Sequence, residues 1–499
     1  MGFADAYLLK AGLREKLFED PPDPGSEIVV TIPVYDESGL ERCLDSLLQC
    51  DSSGLKGEAV ILVNAPADAP EEILEQNRQT CHAARQWISD HPHHNLDFHV
   101  LLDHTFSPRE AGVGLARKIL MDEAARRFSA LDKPGGIIAS MDADAVVEKN
   151  YLQELTGLFR REHPDGCSVY FEHPVEGSEF GEDINRAIIQ YELHQRYYLR
   201  AVRSTGYPHA FHTVGSCFAV RADVYCKEGG MNRRKGGEDF YFIQKIAQRG
   251  NFKECNDTRV VPSPRPSGRV PFGTGPVVRR LLEDPGSPLL TYDPRPFAKL
   301  GGFFGGLEIL YSGIGLDHFM KSRPSVLLDF LDQQNFGKAL VEIRKHSAST
   351  VTFQKRFWRW FNMFRILKFI HHARENGYPD IPVREAAIAL LRQTLQIPVT
   401  TASAPSSAAT EERIGATEER IGAAKERIGA AEKTRAAADK ISAAAKKIIA
   451  GTDQKVARTG QRIAGTDQKV AGTGQEYDNI SPGSLLEIYR QWDRSGPGC

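Results

Sequence analysis

Two pairs of carboxylates carry the chemistry this sequence offers. Asp142 and Asp144 stand on alternate residues at the end of the apolar run Gly136-Ile137-Ile138-Ala139-Ser140-Met141. Two negative charges so close together are costly unless a cation sits between them, and carboxylate oxygens are what Mg2+ or Mn2+ prefers. A metal-binding strand end is the chemical reading; a solvated turn after a buried strand is the plainer one. Glu238 and Asp239 follow Gly236-Gly237 and open a helix, where the helix dipole alone favours acidic residues. Two sets of cations are placed to meet an anion. Gly112-Val113-Gly114 runs into Arg117 and Lys118 at a helix start, a pattern that suits close approach of a phosphate and serves packing equally well. Arg265 and Arg269 lie in the Pro- and Gly-rich stretch 261–275, an irregular loop whose guanidinium groups either fork onto phosphate oxygens or are simply solvated.

These residues need a scaffold. Ile28-Val29-Val30-Thr31-Ile32-Pro33-Val34-Tyr35 reads as a strand buried on both faces, and Asp36-Glu37-Ser38 then starts a helix carrying Leu40, Leu44, Leu47 and Leu48. A second strand, 58–63, stops at Asn64-Ala65-Pro66, and a helical segment with Ile73, Leu74 and Trp87 leads to a third strand at 98–102. The helix after Gly114, the strand before Asp142, a helix over 151–159 and a strand over 168–171 continue the alternation. An amphipathic helix spans 180–203, with His194 a buried, satisfied side chain, and 211–221 reads as a strand bent at Gly215. Strands alternating with helices predict a parallel α/β sheet, and such sheets bind ligands at the carboxyl ends of their strands. Asp142 and Asp144 lie at one of those ends.

Taken in order, Ile32-Pro33-Val34-Tyr35-Asp36-Glu37, Gly112 to Arg117, Asp142-Ala143-Asp144 and Gly237-Glu238-Asp239 resemble the motifs of the bacterial type of family 2 glycosyltransferase, over about residues 25–280. The resemblance implies the GT-A fold, a Rossmann-like, mostly parallel sheet flanked by helices. It implies a metal-dependent, inverting, hexosyltransferase-type enzyme. Such an enzyme moves a sugar from a nucleoside-diphosphate sugar donor to a hydroxyl of a glycan or lipid-linked acceptor. Carried over by residue, Pro33, Tyr35, Glu37 and Asn64 border the nucleoside, Gly112 and Arg117 approach it or its phosphates, and Asp142 and Asp144 hold Mn2+ or Mg2+ against the diphosphate. Asp239 takes the proton of the attacking hydroxyl, and Glu238 positions Asp239 or the acceptor. Arg265 and Arg269 close over the diphosphate and exclude water. The sequence departs from the family at its second strand, which usually ends in acidic residues touching base and ribose. Here Val63-Asn64-Ala65 stands in that place, and Asn64 can still hydrogen-bond a base edge, so the nucleotide stays open.

The whole chain sets limits on that reading. With 63 basic and 65 acidic residues the net charge is -2, so no nucleic-acid partner is indicated and any electrostatic function is local. Eight scattered cysteines without a Cys-x-x-Cys pair argue against a zinc module or a disulfide framework, and a reducing cytoplasm is the default location. Residues 1–24 form an amphipathic helix interrupted by Asp5, Lys10, Arg14, Glu15 and Lys16, not a signal peptide. The catalytic domain then runs over 25–285, a helical accessory region over 286–398, a linker over 399–409, a heptad-repeat segment over 410–477 and a tail over 478–499.

Three stretches of the second half invite a role. Residues 355–370 mix aromatics with five basic side chains. That composition fits a helix lying peripherally on an anionic membrane, at its inner face. It fits equally a core stripe of Phe357, Phe361, Phe364 and Leu367. In the heptad segment Ile414, Ile421 and Ile428 mark one seam, but glycines such as Gly415, Gly422 and Gly429 each cost a helix about 1 kcal/mol. A coiled coil with weak self-association and a partly disordered spacer are both compatible with that. Leu485, Leu486, Ile488, Tyr489 and Trp492 make a short amphipathic piece that docks on an unread partner. Two rival functions remain. A sugar nucleotidyltransferase would carry a Gly-rich basic loop after its first strand, where Pro33-Val34-Tyr35-Asp36-Glu37 stands instead. A non-catalytic scaffold would act through the heptad tail.

Overall fold

The structure, a computed structural model, describes residues 2–12, 16–51, 54–92, 95–270, 272–395 and 480–495. The expected linker 399–409 and heptad segment 410–477 lie outside the described residues. The chain divides into two compact units, Met1–Ile188 with Pro208–Gly286 and Glu342–Ile366, and Ile189–Tyr207 with Ser287–Val341 and Leu367–Cys499.

The first unit is built on an eight-stranded mixed sheet. Its strands are β1 (Ile28–Val34), β2 (Gly57–Pro66), β3 (Leu96–Phe106), β4 (Ile137–Ser140), β5 (Val146–Val147), β6 (Gly166–Phe171), β7 (Phe218–Arg221) and β8 (Phe252–Val261), in the order β3-β2-β1-β4-β7-β6-β8-β5. β1 is parallel to β2 and to β4, as β2 is to β3 and β6 to β8. β7 runs antiparallel to β4 and β6, and β5 antiparallel to β8. The sheet is therefore mixed more evenly than the strand–helix alternation predicts. Nor is 211–221 one strand. Only Phe218–Arg221 pairs, because Cys217 N–H closes a turn onto the Val214 carbonyl at 3.0 Å.

Period-two alternation explains why β1 has no polar face. Ile28, Val30, Ile32 and Val34 enter one core, with Cys43, Leu44 and Leu47 of helix α2 (Leu40–Leu48), Ala84 and Trp87 of α3 (Glu71–Asp90), and Leu152 and Leu155 of α5 (Tyr151–Glu162). Val29 enters the other core. There it meets Leu120, Ala124 and Phe128 of α4 (Val113–Ala130) and, beyond them, the buried side of α1 (Asp5–Ala11), α7 (Ala222–Lys227) and α8 (Glu238–Ala247). Pro33 is tolerated in this central strand because β1 pairs with β4 only as far as Thr31↔Ser140. Among the described residues the seven cysteines are free and buried.

α4 is buried nearly all round, charged residues included: Arg117, Lys118, Asp122, Glu123 and Arg127 are each 5% exposed or less. Each finds a partner. Asp122 accepts from Tyr7 of α1 at 2.6 Å, from Tyr225 at 2.7 Å and from Lys118 at 3.0 Å, so the first helix is fastened to α4 by buried polar bonds.

The second unit is helical. It holds Pro294–Phe304, Leu307–Ser312, Leu316–Lys321, Ser325–Gln333, Val383–Leu395 and Pro482–Arg494, with one two-stranded ribbon, Leu290–Thr291 against Ile381–Pro382. The amphipathic piece read near the C-terminus is the helix Pro482–Arg494, whose Leu485, Leu486, Ile488, Tyr489 and Trp492 are buried. Its partner is the later part of α6 (Gly181–Ser204). Asp493 accepts from Arg196 and Arg200 at 2.7 Å each, and Arg490 donates to Glu192 at 2.8 and 2.9 Å. His194 Nδ1 lies 2.7 Å from the Thr291 hydroxyl, the satisfied histidine expected there.

Residues 355–370 fall into two helices, Thr350–Trp360 and Met363–Glu375. Phe353, Phe357, Phe361, Ile366 and Phe369 are buried, while Lys355, Arg356, Arg359 and Lys368 point to solvent. The apolar stripe that a membrane helix would present is thus core. Of the stripe expected there, Phe364 is 39% exposed and Leu367 only partly buried. Among the described residues no helix is long and apolar enough to cross a membrane.

Candidate active site

Parallel pairing of β1 with β4 brings their carboxyl ends side by side, and two chemical segments follow from it. After β1 the chain turns at Asp36, in the left-handed region with φ 50°, and buries Glu37. After β4, Met141 N–H still donates to the Thr31 carbonyl at 3.1 Å, and a turn from Asp142 to Ala145 then presents Asp142 and Asp144. The loop after β8 spans both. Arg269 donates to Glu37 at 3.2 Å, to the Tyr35 and Asp36 carbonyls at 3.1 Å each, and to Asp144 at 3.4 Å. Arg265 bonds Glu37 closely and reaches Asp144 at 3.5 Å.

The charges respond to these neighbours. Burial works to raise Glu37, but Arg265 and the Gly39 N–H at 2.8 Å hold its carboxyl below the usual range. Asp144 is raised, first by burial and then by Asp142, with Arg269 and Arg265 opposing. A small cavity of about 130 Å³ lies here, lined by Glu37, Arg42, Asp144, Pro174, Phe180 and Arg265 among others. It has room for a phosphate group but not for a nucleotide, which needs roughly 300 Å³ or more. Arg265 forms part of its wall.

Arg117 organises the other side. Its side chain reaches from α4 under the end of β4 and is 2% exposed. It donates to Asp142 at 3.0 Å, to Glu238 at 3.1 Å, to the Gly215 carbonyl at 3.0 Å and, closely, to the Ser140 hydroxyl. Asp142, Glu238 and Asp239 keep it protonated against its burial. Asp239 is the carboxyl left over. Its Oδ1 accepts from the Phe240 N–H at 2.7 Å, and its proton affinity is pushed up to about 7, first by burial and then by Glu238, with Arg117 pulling the other way. Gly237, with φ 69°, turns the chain into α8 in a conformation that suits glycine, and Gly215 leaves Asp239 its space. A Cβ at residue 215 would lie 2.8 Å from Arg117 Nη2 and 3.3 Å from Asp239 Oδ2.

The geometry thus joins Asp142 and Glu238 through Arg117, with Asp239 within reach of the same charge, and joins Glu37 and Asp144 through Arg265 and Arg269. Three residues read from sequence as nucleotide contacts stand elsewhere. Arg117 is a buried tie between carboxylates, not a cation open to phosphate. Asn64 commits its side-chain N–H to the Val34 carbonyl at 2.8 Å, while its backbone carbonyl accepts from the Asn77 side chain at 3.0 Å, so it fastens strand ends together. Gly112 and Gly114 pack against the loop before α8: a Cβ at 112 would come 3.1 Å from Lys235 Cα, and one at 114 would strike the Arg234 carbonyl. The small residues of Gly-x-Gly serve helix–loop packing there. Sequence reading passed over Ser140 and Gly215, whose only sign was a small residue beside a motif.

Among the described residues, no three His, Cys, Asp or Glu side chains cluster as a metal site. Asp142 and Asp144 nonetheless fit Mg2+ or Mn2+ of the kind held by one or two carboxylates and completed by substrate phosphates.

No family model matches this chain, and no curated protein does. Several solved structures are similar to it. S. aureus TarS residues 1–349 in complex with UDP-GlcNAc is 14% identical over 71% of this chain and 93% of that one, with a TM-score of 0.34. The same TarS fragment with UDP is 16% identical over the same shares, with a TM-score of 0.32. GalNAc-T7 with UDP, GalNAc and Mn2+ is 16% identical over 53% of this chain and 48% of that one, at 0.32. Likeness this loose carries no weight for the activity, which rests on the site.

Proposed function

We propose that the chain is a metal-dependent, inverting glycosyltransferase of GT-A type, using a nucleoside-diphosphate sugar and the hydroxyl of a glycan or lipid-linked acceptor. One observation supports it above the rest: a single buried arginine, Arg117, bonds Asp142 of the open carboxylate pair and Glu238, the neighbour of the carboxyl poised near neutrality, so a donor end and an acceptor end are held in fixed relation. Asp142 and Asp144 would hold Mn2+ or Mg2+, which supplies a Lewis acid for charge building on the leaving diphosphate. Arg265 and Arg269 exchange Asp144 and Glu37 for the diphosphate oxygens as the donor enters, which widens the small cavity. Asp239 takes the proton of the acceptor hydroxyl as its oxygen bonds to the anomeric carbon and the bond to the diphosphate breaks. A proton affinity near 7 suits that task, because a base so placed is ionised at working pH yet still basic. Glu238 keeps that affinity high, and Arg117 keeps Glu238 in place.

The test is transfer to mixed glycan acceptors from a panel of UDP, GDP, CDP and TDP sugars with Mn2+. Alongside it, calorimetry of the nucleoside diphosphates is run on the wild type and on the Asp142→Ala, Asp144→Ala double variant. Metal-dependent nucleotide binding confined to the wild type is expected; equal binding by both proteins would remove the metal site.

A further inference from the structure

Arg265 and Arg269 are set in place by one local device used twice. The segment Ser263-Pro264-Arg265-Pro266-Ser267-Gly268-Arg269 repeats Ser-x-Arg, and each serine hydroxyl accepts from the backbone N–H and from the Nε of the arginine two residues on. The distances are 3.3 and 3.2 Å for Ser263 with Arg265, and 3.2 and 3.1 Å for Ser267 with Arg269. With its inner N–H held in this way, each guanidinium has few orientations left to lose when it grips a partner.

Both arginines converge on the same two oxygens. Arg265 Nη2 bonds Glu37 Oε2 closely and reaches Asp144 Oδ2 at 3.5 Å, while Arg269 reaches Glu37 Oε2 with Nη1 at 3.2 Å and Asp144 Oδ2 with Nη2 at 3.4 Å. Two cations against two carboxylates leave no net charge here. Asp142 keeps an open edge, but Asp144 offers a bare divalent cation only a carboxylate that two guanidinium groups already hold, and both repel the newcomer. A diphosphate changes that balance. Its oxygens give the arginines a substitute partner of the geometry they favour, which releases Asp144. The cavity lined by Glu37, Asp144 and Arg265 is the size of one phosphate group, so the anion has a seat beside the carboxylate it frees.

We infer that this Ser-x-Arg clamp shuts Asp144 to a bare divalent cation, so that the site takes its metal only as a metal–diphosphate complex. This rests on the reading of Asp142 and Asp144 as the metal pair. Mn2+ alone and the preformed Mn2+–pyrophosphate complex are titrated separately by calorimetry into the full chain. The Arg265→Gln, Arg269→Gln double variant should bind Mn2+ alone about tenfold more tightly than the wild type and the complex about tenfold more weakly. Loss of folding would weaken both, so the opposite signs separate the clamp from damage to the fold. The Ser263→Ala, Ser267→Ala double variant should shift the two affinities in the same directions by about threefold. Adding Asp144→Ala to the arginine variant should abolish its gain for Mn2+. Equal Mn2+ affinity in the wild type and in either double variant would overturn the clamp, and so would a gain that survives Asp144→Ala. The two readings fail separately. Reciprocal shifts without sugar transfer from any donor keep the clamp and remove the activity, whereas transfer with Mn2+ affinity indifferent to the arginines does the reverse.

Discussion

Arg117 and Arg196 are both enclosed arginines between carboxylates, and only one of them belongs to a site. Around Arg196, three cations (with Arg200 and Arg490) meet two acids, Glu192 and Asp493, and every member is turned inward, at 9% side-chain exposure or less. Around Arg117, one cation faces three carboxyls, and Asp142 keeps 40% of its side chain in contact with solvent. Burial is common to both networks, so burial does not mark function. Surplus negative charge with an open edge does, because a divalent cation or a proton can complete it.

The two networks should therefore fail in different ways. The largest effect is expected from Asp239→Asn, which removes the proton acceptor and should cost transfer about 10³-fold while donor binding is kept. A chain with near-normal transfer would place the base elsewhere. Next, Asp493→Asn should cost about 3 kcal/mol in denaturant unfolding by leaving Arg196 and Arg200 short of their acid. Donor KM should not follow; a change there would mean that the two networks are coupled.

A smaller, more telling effect concerns pH. Asp239 holds its proton until about pH 7, so transfer should rise with pH through that value. Glu238→Gln removes the neighbouring charge and should move this limb to lower pH, read in the kcat/KM profile. The same carboxyl acts on stability with a definite sign. It ionises near its ordinary value of about 4 when unfolded and near 7 when folded. The fold therefore loses stability as pH climbs between the two and loses no more above, a slope that Asp239→Asn should flatten. Smallest is Gly215→Ala, whose methyl would crowd Arg117 and Asp239. It should cost about 1 to 2 kcal/mol in unfolding and a few-fold in rate.

The strand alternation and both acidic motifs were legible because they are local. An apolar run such as Ile28–Val34 has few foldings open to it, and a carboxylate after it marks a strand end. What the sequence hid are side chains that satisfy one another across long distances. Arg117, Lys118, Asp122, Glu123 and Arg127 look like the wet face of α4 until distant residues cover them: Glu238 of α8, Tyr7 of α1, Tyr225 of α7, Glu58 of β2, and Leu17. Arg117 therefore read as a phosphate ligand when it is a tie. The even mixture of parallel and antiparallel pairing was invisible for a related reason. β7 is four residues long and its direction is set by its neighbours, not by its own pattern. Residues 355–370 show the opposite case, in which one composition suited a membrane surface and a core, and most of the aromatics pack in the core.

The helix Pro482–Arg494 has a consequence for how the molecule is made. Arg196 meets Asp493 across 297 positions of chain, so on a ribosome the later half of α6 is translated long before its counter-charges exist. Until then Arg196, Arg200 and Glu192 must stay hydrated, and the second unit cannot close around them. Its final assembly is a late, high-contact-order event, and a message broken between residues 395 and 490 yields a chain in which Arg196 and Glu192 keep each other but lack Asp493 and Arg490.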